Sequence, residues 1–478
     1  MIETGNAAIA RAMASVQAAV PKARQDPERP VYHFRPPANW MNDPNGTIYH
    51  NGYYHLFYQH NPYGDEWGHM HWGHARSRDL VHWEHLPIAL WPSLELGEEH
   101  VFSGCAAING DGQPMVFYTS VGIGEPGQRR DNEQWAAVGD RDWITWEKHP
   151  QNPVLSLENH GGPRFTSEWR DPYIFSEGGR TFMVLGVAEG ETAGVALYEA
   201  QDDSLVHWRY QKLLYQKPTS EIRFFECPNF FKVNDTWVLL TSPYETVRYY
   251  TGTFDLETLT FTPQHEGILD SGQSGAGRPN FYASNTLYDP DGRCILLGWV
   301  RNFPPGRGWN GCLALPRVLT VGADGRPRQQ PIEALAQLRT GQHAFNNLVL
   351  DDEVLLLDGV RGTQLEIQAT LQQGSAQRVG IVLRSNASGQ DGASVVYDGT
   401  TLTVADSPVS LPLGANTPVN LHIYLDRSVL EVFVDDGEVA VTRVIEASQE
   451  NHGVALFAGG GRAQVSQLDV WTVPAIEE

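Results

Sequence analysis

Two sequence patterns recur along the first two thirds of this chain of 478 residues, and they constrain its fold more than any other feature. One pattern ends in an aromatic residue, and its closing residues lie 63, 62 and 53 positions apart. It occurs at Arg78–Trp83, Arg141–Trp146, Asp203–Trp208 and, more weakly, Asp255–Phe261. A repeat of this kind is typical of a chain that builds one structural unit several times.

The second pattern is a tight turn between two strand-like segments, and it occurs five times. The turns are Asn51-Gly52, Asp111-Gly112, Gly178-Gly179, Asn234-Asp235 and Asp291-Gly292. Most of these dipeptides are strong signals for β-hairpins when they stand between apolar runs. Five hairpins, each followed by further strand-like sequence, predict a five-bladed β-propeller with four strands in each blade. A β-sandwich contains a similar number of hairpins, but its sequence does not repeat at this interval.

The sequence changes character after about Gly325. Residues 331–345 are expected to be a linker with a short helix over PIEALAQLR, and strand-like segments follow from Val349 onward. This pattern predicts a β-sandwich over residues 346–478. The sandwich segment contains no cluster of candidate catalytic groups, so we expect the chemistry to lie in the preceding region.

Residues 1–28 predict a helical extension ahead of a propeller that covers residues 29–330. Apolar residues recur at helical spacing in this extension, at Ile9, Met13, Val16 and Val20. The helix is expected to end at Pro21, because proline disrupts a helix interior. The predicted fold class is therefore all-β, with one short N-terminal helix.

The charge and the cysteines limit the classes of partner. The chain has 34 Lys and Arg against 57 Asp and Glu, which gives a formal net charge of −23 with His neutral. Such a surface repels phosphate backbones and anionic lipids, and no segment approaches the ~20 apolar residues of a membrane span. The four cysteines form no CxxC pair, so neither a metal site nor a disulfide framework is indicated. We expect a cytoplasmic protein without cofactor, nucleic-acid partner or membrane partner, and the oligomeric state stays open.

Three acidic residues stand close before prolines where three of the hairpins begin. The segments are Trp40-Met41-Asn42-Asp43-Pro44, Trp169-Arg170-Asp171-Pro172 and Phe225-Glu226-Cys227-Pro228. A single Asp-Pro pair usually begins a turn, but equivalent strand ends of a propeller meet at one mouth, which brings Asp43, Asp171 and Glu226 together. Glu226 stands one position earlier than the others, so we expect a local bulge or its longer side chain to bring it to the same place.

Acidic groups in a mouth rich in aromatic residues suit glycoside hydrolysis. One carboxylate must be ionised to attack the anomeric carbon, and another must keep its proton for the leaving oxygen. When two carboxyl groups lie close together, the pKa of one of them is raised. A third carboxylate can hydrogen-bond ring hydroxyl groups. The spacing of His69, His71 and His74 mixes strand faces, so we interpret them as residues that pack or that support neighbouring site residues, and we predict no metal site.

These residues resemble the motifs of glycoside hydrolase family 32, which contains invertases, inulinases and levanases. Residues 40–46 (WMNDPNG) resemble its sucrose-binding box, residues 170–172 its RDP motif, and residues 226–227 its EC motif. Further similarity, including residues 67–83 and 426–433, extends the resemblance from about Tyr32 to Phe457.

The resemblance implies a retaining β-fructofuranosidase that acts by double displacement on terminal non-reducing β-D-fructofuranosides. It implies that Asp43 is the nucleophile, Glu226 the general acid and base, and Asp171 the stabiliser of the transition state. It also implies a fructose pocket formed by Trp40, Asn42, Gln59, Trp67, Phe102, Ser103, Arg170 and Trp299. Two positions depart from the family pattern: Asn285 stands where many members carry Gln and could alter the pocket edge, and Phe225 stands where many carry Trp.

Several alternatives use the same acids differently. A fructosyltransferase would pass the sugar to another sugar, and an exo-inulinase or levanase would release a different leaving group. A glycosidase of the arabinan or xylan type would invert, with carboxyls ~6.5–9.5 Å apart in place of ~5–5.5 Å. A sugar-binding propeller without activity is the non-enzymatic alternative. We favour sucrose and short fructo-oligosaccharides as substrates.

Overall fold

The computed structural model describes residues 5–124, 129–165 and 168–476, and most of them lie in β-strands. A single α-helix of these ranges, α1 (Gly5–Gln25), precedes the strands. No helix in the described ranges is long and apolar enough to cross a lipid bilayer. The prediction of a mostly β protein with one N-terminal helix is therefore confirmed.

Helix α1 continues to Gln25, so the prediction that it ends at Pro21 is wrong. Pro21 removes one backbone hydrogen bond from the last turn. Ala23 nevertheless lies buried in the same apolar cluster as Trp309, and this packing holds the last turn in a helical conformation. The buried face of the helix consists mainly of small side chains, namely Ala8, Ala12, Val16 and Ala23.

Residues 39–331 form five sheets, each built mainly from consecutive antiparallel strands. The first contains β1 (Asn39–His50), β2 (Tyr53–Asn61), β3 (His71–Ser77) and β4 (Trp83–Leu90). The second contains β5 (Glu98–Ile108), β6 (Pro114–Gly122), β7 (Glu133–Gly139) and β8 (Trp146–Lys148). The third contains β9 (Glu168–Glu177), β10 (Arg180–Glu189), β11 (Thr192–Ala200) and β12 (Trp208–Pro218).

The fourth sheet contains β13 (Asn229–Val233), β14 (Thr236–Thr241), β15 (Arg248–Asp255) and β16 (Thr260–Ile268). The fifth begins with β17 (Phe281–Tyr288) and β18 (Cys294–Val300). The next strand, β19 (Trp309–Asn310), pairs with β1 of the first sheet. The fifth sheet then continues with β20 (Cys312–Leu313), β21 (Arg317–Val321) and β22 (Pro327–Pro331).

The first strands of the five sheets form a closed ring. Strand β1 contacts β5 and β17, strand β9 contacts β5 and β13, and β13 contacts β17. The parallel pairing of β19 with β1 places Trp309 opposite Asn39, which joins the end of the ring to its beginning. All five predicted hairpins are present as the first two strands of each sheet. We call this arrangement the sheet ring.

The pattern that ends in an aromatic residue occupies the turn between the third and fourth strands of the first four sheets. One residue of each turn has a left-handed backbone: Leu80 (φ 65°), Trp143 (φ 59°), Leu205 (φ 60°) and Leu259 (φ 53°). An aspartate carboxylate accepts a backbone N–H in each turn, at Asp79, Asp140, Asp202 and Asp255. The repeated sequence therefore encodes a repeated turn conformation.

Residues 340–472 form two six-stranded sheets. The strands are β23 (Thr340–Asp351), β24 (Val354–Arg361), β25 (Gln364–Gln372), β26 (Arg378–Ser385), β27 (Ala393–Tyr397), β28 (Thr401–Val404), β29 (Ser407–Ser410), β30 (Val419–Asp426), β31 (Val429–Val434), β32 (Val439–Val444), β33 (Gly453–Gly459) and β34 (Arg462–Thr472). One sheet has the order β23-β34-β25-β30-β31-β32, and the other has the order β24-β33-β26-β27-β28-β29. The two sheets share one apolar core, which includes Ile367 of the first and Ile381 of the second. We call this unit the sheet pair.

The segment predicted as a linker, residues 331–345, is only partly a linker. A short 3-10 helix lies at Glu333–Leu338, as expected, but β23 already begins at Thr340. The prediction that strands start at Val349 is therefore wrong. Strand β23 is mostly exposed and polar, and its pairing with β34 holds it in place, so its sequence carries no pattern of buried residues.

A buried ion network joins the sheet ring to the sheet pair. His33 Nδ1 lies 2.8 Å from Asp426 Oδ2, and His33 Nε2 lies 2.9 Å from Glu431 Oε1. Arg317 donates to Glu431 Oε2 at 2.6 Å and to Asp270 Oδ2 at 3.0 Å. All five side chains are buried, so each charge depends on its partners rather than on water.

We expect His33→Gln to destabilise the protein more at about pH 6 than at about pH 10. Burial by itself lowers the pKa of His33, but hydrogen bonds to Asp426 and Glu431 raise it to about 9. The unfolded value is about 6.5, so the charged imidazole contributes stability that is complete below pH ~6.5 and is lost as the pH rises through about 9. At about pH 6 we expect His33→Gln to lower the free energy of unfolding by about 3 kcal/mol, because two buried carboxylates lose their charged partner.

The difference in melting temperature between the unchanged protein and His33→Gln, measured at both pH values, tests this expectation. A difference that is equally large at both pH values would show that the imidazole contributes by its shape and not by its charge.

Candidate active site

The structure brings the three predicted acids together at one end of the sheet ring. Cys227, which follows Glu226, has its Sγ 3.5 Å from Asp43 Oδ2 and 3.7 Å from Asp171 Oδ2. Arg170 links two of the acids, because its Nη2 donates to Glu226 Oε1 at 2.9 Å and its Nε lies 3.6 Å from Asp171 Oδ2. Residues of the first and third sheets and of the segment just before the fourth sheet therefore form one cluster.

Backbone bulges direct the side chains at this end of the ring. In four of the five sheets, two residues of the first strand stand opposite one residue of the second strand. These are Asn42-Asp43 opposite Gln59, Phe102-Ser103 opposite Thr119, Asp171-Pro172 opposite Leu185, and Ala283-Ser284 opposite Gly298. A bulge changes the direction of a side chain and is frequent beside active sites.

The prolines give the common register of the three acidic segments. Asp43, Asp171 and Cys227 each directly precede a proline, and Asp171 and Cys227 have a left-handed backbone with φ of 65° and 48°. Cys227, just before the fourth sheet, thus precedes its proline as an aspartate does in the first and third sheets. Glu226 comes from the preceding position, where its backbone carbonyl accepts the N–H of Ser242 at 2.9 Å.

A chain of hydrogen bonds orients the Asp43 carboxylate. Ser103 Oγ donates to Asp43 Oδ2 at 2.5 Å, and Asn42 Nδ2 donates to Asp43 Oδ1 at 3.1 Å. Gln59 connects these two donors: its Nε2 donates to Ser103 Oγ at 2.7 Å, and its Oε1 accepts from Asn42 Nδ2 at 2.9 Å. Trp40 Nε1 donates to Asn42 Oδ1 at 2.7 Å. Four predicted pocket residues therefore hold Asp43 in one orientation.

Arg170 and Tyr282 fix the carboxyl group of Glu226. Arg170 Nη2 donates to Glu226 Oε1 and also to Tyr244 Oη at 2.5 Å, while its Nη1 pairs with Glu168. The second oxygen, Glu226 Oε2, accepts a hydrogen bond from Tyr282 Oη at 2.5 Å. Both oxygens of Glu226 have a partner, so the group has one defined position.

Burial and mutual repulsion raise the proton affinity of the two aspartates. Burial, followed by the charge of Glu226, raises the pKa of Asp43 against the effect of its hydrogen bonds. Burial also raises the pKa of Asp171 to about 7; Arg170 opposes this rise, and the charges of Glu226 and Asp43 add to it. The shifts favour the protonated forms of the two aspartates, and Asp171 is the one whose pKa lies close to neutral pH.

The other predicted pocket residues are aromatic. Trp299 packs edge-on against Trp40 with ring centroids 5.6 Å apart, and its buried indole N–H has no partner in the described part of the chain. Trp67 is 51% exposed and packs edge-on against Phe102 at 6.2 Å. The exposed indole ring of Trp67 offers a sugar a stacking surface.

Three residues that contact Arg170 or Glu226 were not predicted from the sequence. Tyr282 pairs with Trp299 just before the bulge of its sheet, but it reaches Glu226 from a different sheet, so its repeat position does not mark it as a site residue. Tyr244 and Glu168 lie outside the repeated patterns, and no sequence signal marks them.

Asn285 lies inside the sheet ring and is buried. Its Oδ1 accepts from Thr47 Oγ1 at 2.7 Å, and its Nδ2 lies 3.5 Å from the carbonyl oxygen of Gly104. It thus joins the first strands of the fifth, first and second sheets. None of its described hydrogen bonds reaches the three acids, so its departure from the family pattern concerns the packing of the ring.

Among the described residues, no group of three or more His, Cys, Asp and Glu is arranged to hold a metal ion. His74 is buried, stacks on Phe57 with ring centroids 4.0 Å apart, and lies 3.2 Å from a ring nitrogen of His55. These contacts identify His74 as a packing residue.

Comparison with known proteins places the chain in a family. The model of the glycosyl hydrolases family 32 N-terminal domain matches residues 33–331, and that of the family 32 C-terminal domain matches residues 334–472. The sucrose-6-phosphate hydrolase of Escherichia coli is 31% identical, with 92% of this chain and 94% of that protein covered. The raffinose invertase of Escherichia coli is also 31% identical, with the same coverage of 92% and 94%.

Among solved structures, a Bombyx mori family 32 β-fructofuranosidase in complex with sucrose is similar, with a TM-score of 0.83 and 28% identity over 99% of this chain and 100% of that one. The matched regions include both the sheet ring and the sheet pair. The chain belongs to glycosyl hydrolase family 32.

Proposed function

We propose that this protein hydrolyses terminal non-reducing β-D-fructofuranosides with retention of configuration at the anomeric carbon. The observation that carries this proposal is the joint placement of Asp43, Asp171 and Glu226 in one partly buried cluster. Family membership agrees with it, since the relatives include an invertase and a levanase by name.

We further propose that the sheet ring is a five-bladed β-propeller and that the sheet pair is a β-sandwich. The closed contact of the five first strands supports the propeller, and the shared apolar core supports the sandwich. In this description an N-terminal extension that contains α1 precedes a catalytic domain of residues 29–330, and the sandwich begins at Thr340.

In the first chemical step, the Asp43 carboxylate attacks C2 of the fructosyl unit and forms an ester. The bond from C2 to the glycosidic oxygen breaks, and Glu226 gives its proton to that oxygen. Ser103 and Asn42 orient Asp43 for this attack through their hydrogen bonds. Arg170 holds the proton donor in place.

In the second step, Glu226 is a carboxylate and takes a proton from a water molecule. The water oxygen attacks C2, and Asp43 leaves as a carboxylate, so two displacements restore the original configuration. Asp171 hydrogen-bonds hydroxyl groups of the fructosyl ring and stabilises the positive charge that develops on it. The exposed ring of Trp67 contributes to sugar binding.

A phosphorylated fructoside is the second candidate substrate beside sucrose and short fructo-oligosaccharides. One relative is named sucrose-6-phosphate hydrolase. In this chain the guanidinium carbon of Arg301 lies 3.9 Å from the ring centre of Tyr282, and that of Arg223 lies 5.1 Å from the ring centre of Tyr244. Tyr282 is a hydrogen-bond partner of Glu226, and Tyr244 accepts from Arg170, the other partner. Glu226 faces the leaving group in this proposal, so these arginines are candidates to pair with a phosphate there.

Product analysis in the presence of methanol tests the proposed function. We expect equal amounts of glucose and fructose from sucrose in water, and methyl β-D-fructofuranoside when methanol is added. Methanol intercepts the ester on the same face as water and therefore reports the configuration.

The other outcomes of this experiment identify the alternatives. The methyl α-fructoside would show that the enzyme inverts, and fructosyl oligosaccharides at high sucrose concentration would identify a transferase. Binding of sucrose without release of fructose would identify a sugar-binding protein. The kcat/KM values for sucrose, sucrose 6-phosphate, kestose, inulin and levan, compared with one another, identify the preferred leaving group.

We propose a cytoplasmic location for this activity. The four cysteines are buried and free, which agrees with a reducing compartment. Recovery of the activity with the membrane or secreted fraction of the source cells would contradict this location.

A further inference from the structure

Tyr244 lies in the turn between β14 and β15, close to the acid Glu226. Asn229 at the start of β13 pairs with Leu240 near the end of β14, so this turn lies at the same end of the sheet ring as the three acids. The backbone of Tyr244 is left-handed, with φ of 66°. Bulky residues rarely adopt this conformation, and those that do are concentrated at functional sites. Neighbouring contacts must therefore hold Tyr244 in place.

The backbone turn around Tyr244 contacts one of the two groups that fix Glu226. The N–H of Tyr244 donates to Tyr282 Oη at 2.8 Å, and Tyr282 Oη lies 2.7 Å from the carbonyl oxygen of Ser242 in the same turn. The same phenol oxygen lies 2.5 Å from Glu226 Oε2. The turn therefore holds the hydroxyl of Tyr282 on two sides, next to the carboxyl group.

The side chain of Tyr244 contacts the other group that fixes Glu226. Arg170 Nη2 donates to Tyr244 Oη at 2.5 Å and to Glu226 Oε1 at 2.9 Å. This guanidinium nitrogen carries two hydrogens, so it makes both bonds at once. The hydroxyl of Tyr244 and the carboxyl group of Glu226 thus share one nitrogen, which places the hydroxyl beside the proposed proton donor.

The hydroxyl of Tyr244 still has a proton to donate. It accepts from Arg170, and its own proton has no acceptor in the described part of the chain. Burial raises the pKa of Tyr244 to about 12, although Arg170 opposes this rise, so the hydroxyl keeps its proton at neutral pH. The residue is 40% exposed, and the guanidinium carbon of Arg223 lies 5.1 Å from the centre of its ring. An accessible and oriented donor therefore lies beside Glu226.

We infer that Tyr244 is a specificity-determining residue whose hydroxyl donates to a hydroxyl group of the leaving sugar while it accepts from Arg170. This inference rests on the proposed function, in which Glu226 gives its proton to the glycosidic oxygen of that sugar. A donor beside Glu226 meets the leaving group rather than the fructosyl unit that Asp43 attacks. Because Tyr244 also holds Arg170 and Tyr282, it is a positioning residue for the carboxyl group of Glu226.

Two substrates compared in the Tyr244→Phe variant test the contact with the leaving sugar. Sucrose carries a sugar with several hydroxyl groups as its leaving group, whereas methyl β-D-fructofuranoside carries only a methoxy group there. We expect kcat/KM to fall roughly 3- to 10-fold more for sucrose than for the methyl fructoside, because one hydrogen bond is lost. Both substrates are measured on one preparation, so the fraction of folded protein does not affect this comparison. An equal loss on both substrates would overturn the contact.

The methyl fructoside alone tests the positioning role. With this substrate we expect Tyr244→Phe to lower kcat several-fold and to leave KM unaltered, because Arg170 loses an acceptor and holds the proton donor less firmly. An unaltered kcat would overturn the positioning role.

Tyr288→Phe is the matched control, since it makes the same chemical change at an exposed tyrosine. Tyr288 ends β17, while Tyr282 near the start of that strand contacts Glu226, so Tyr288 lies toward the opposite end of the sheet ring. We expect this variant to leave the kinetic constants for both substrates unaltered, and the same preference change as in Tyr244→Phe would overturn the inference. Failure of the proposed function would be recognised separately, as absence of fructose release from both substrates by the unchanged enzyme.

Discussion

We expect the Asp43→Asn variant to release fructose from sucrose at least about 10⁴-fold more slowly than the unchanged protein. The amide has no negative charge with which to attack C2, and no neighbouring group can replace it, because Glu226 is held by Arg170 and Tyr282. The measurement is kcat from fructose release at saturating sucrose.

The same variant should be at least as stable as the unchanged protein. The pKa of Asp43 is raised by burial and by the charge of Glu226, so at pH values above its unfolded pKa the ionised carboxylate destabilises the fold, and this effect is complete once the pH has passed the raised pKa. Asparagine removes that charge. We therefore expect an equal or higher melting temperature at neutral pH.

Asp111→Asn is the matched control for this experiment, since it makes the same chemical change at an exposed hairpin turn. It should alter neither activity nor melting temperature. If Asp43→Asn kept nearly normal turnover, Asp43 would not be the nucleophile, and if it melted many degrees lower, its role would be structural.

The Glu226→Gln variant should lose activity on sucrose by about 10²- to 10⁴-fold, the range expected for a general acid and base. An aryl fructoside has a leaving group that departs without a proton, so the substitution should slow the first step far less with this substrate than with sucrose. Azide attacks the ester without a general base and should restore the second step, with fructosyl azide as the product.

The control is Glu168→Gln, which removes another carboxylate bound to Arg170 but keeps both partners of Glu226. We expect a much smaller loss than for Glu226→Gln, and no response to azide. Equal losses on sucrose and on the aryl fructoside for Glu226→Gln would show that Glu226 does not protonate the leaving group.

The repeated features of the fold were predictable from the sequence, because each hairpin turn and each aromatic-ending turn is encoded locally. In one such turn, for example, the Asp79 carboxylate accepts the backbone N–H of Val81, and Leu80 has a left-handed backbone. Both features involve only residues that are adjacent in the sequence. Strand β23 was missed for the opposite reason. It is held by pairing with β34, more than a hundred residues away, and not by a buried pattern of its own.

The site was predictable where repeat position and chemistry coincide, as for Asp43 and Asp171. The position of Cys227 was not predicted, because only the acid beside it has a group suited to the chemistry. The register of the prolines places Cys227 between the two aspartates. Tyr282 reaches Glu226 from a different sheet, and only the closure of the ring makes this contact. Contacts between sheets depend on the whole architecture and leave no local signal.

The pairing of β19 with β1 has a consequence for the biosynthesis of the enzyme. Trp40 is made early, but its partner Asn310 follows about 270 residues later. At a ribosomal rate of about 5–20 residues per second, this is a delay of roughly 15–50 s. During that time the strand that carries Asp43 has an unpaired edge, and Glu226 lacks its partner Tyr282 until the fifth sheet emerges. The nascent chain therefore acquires a complete site only late in translation, and activity on the ribosome should be absent from every chain that ends before Trp309.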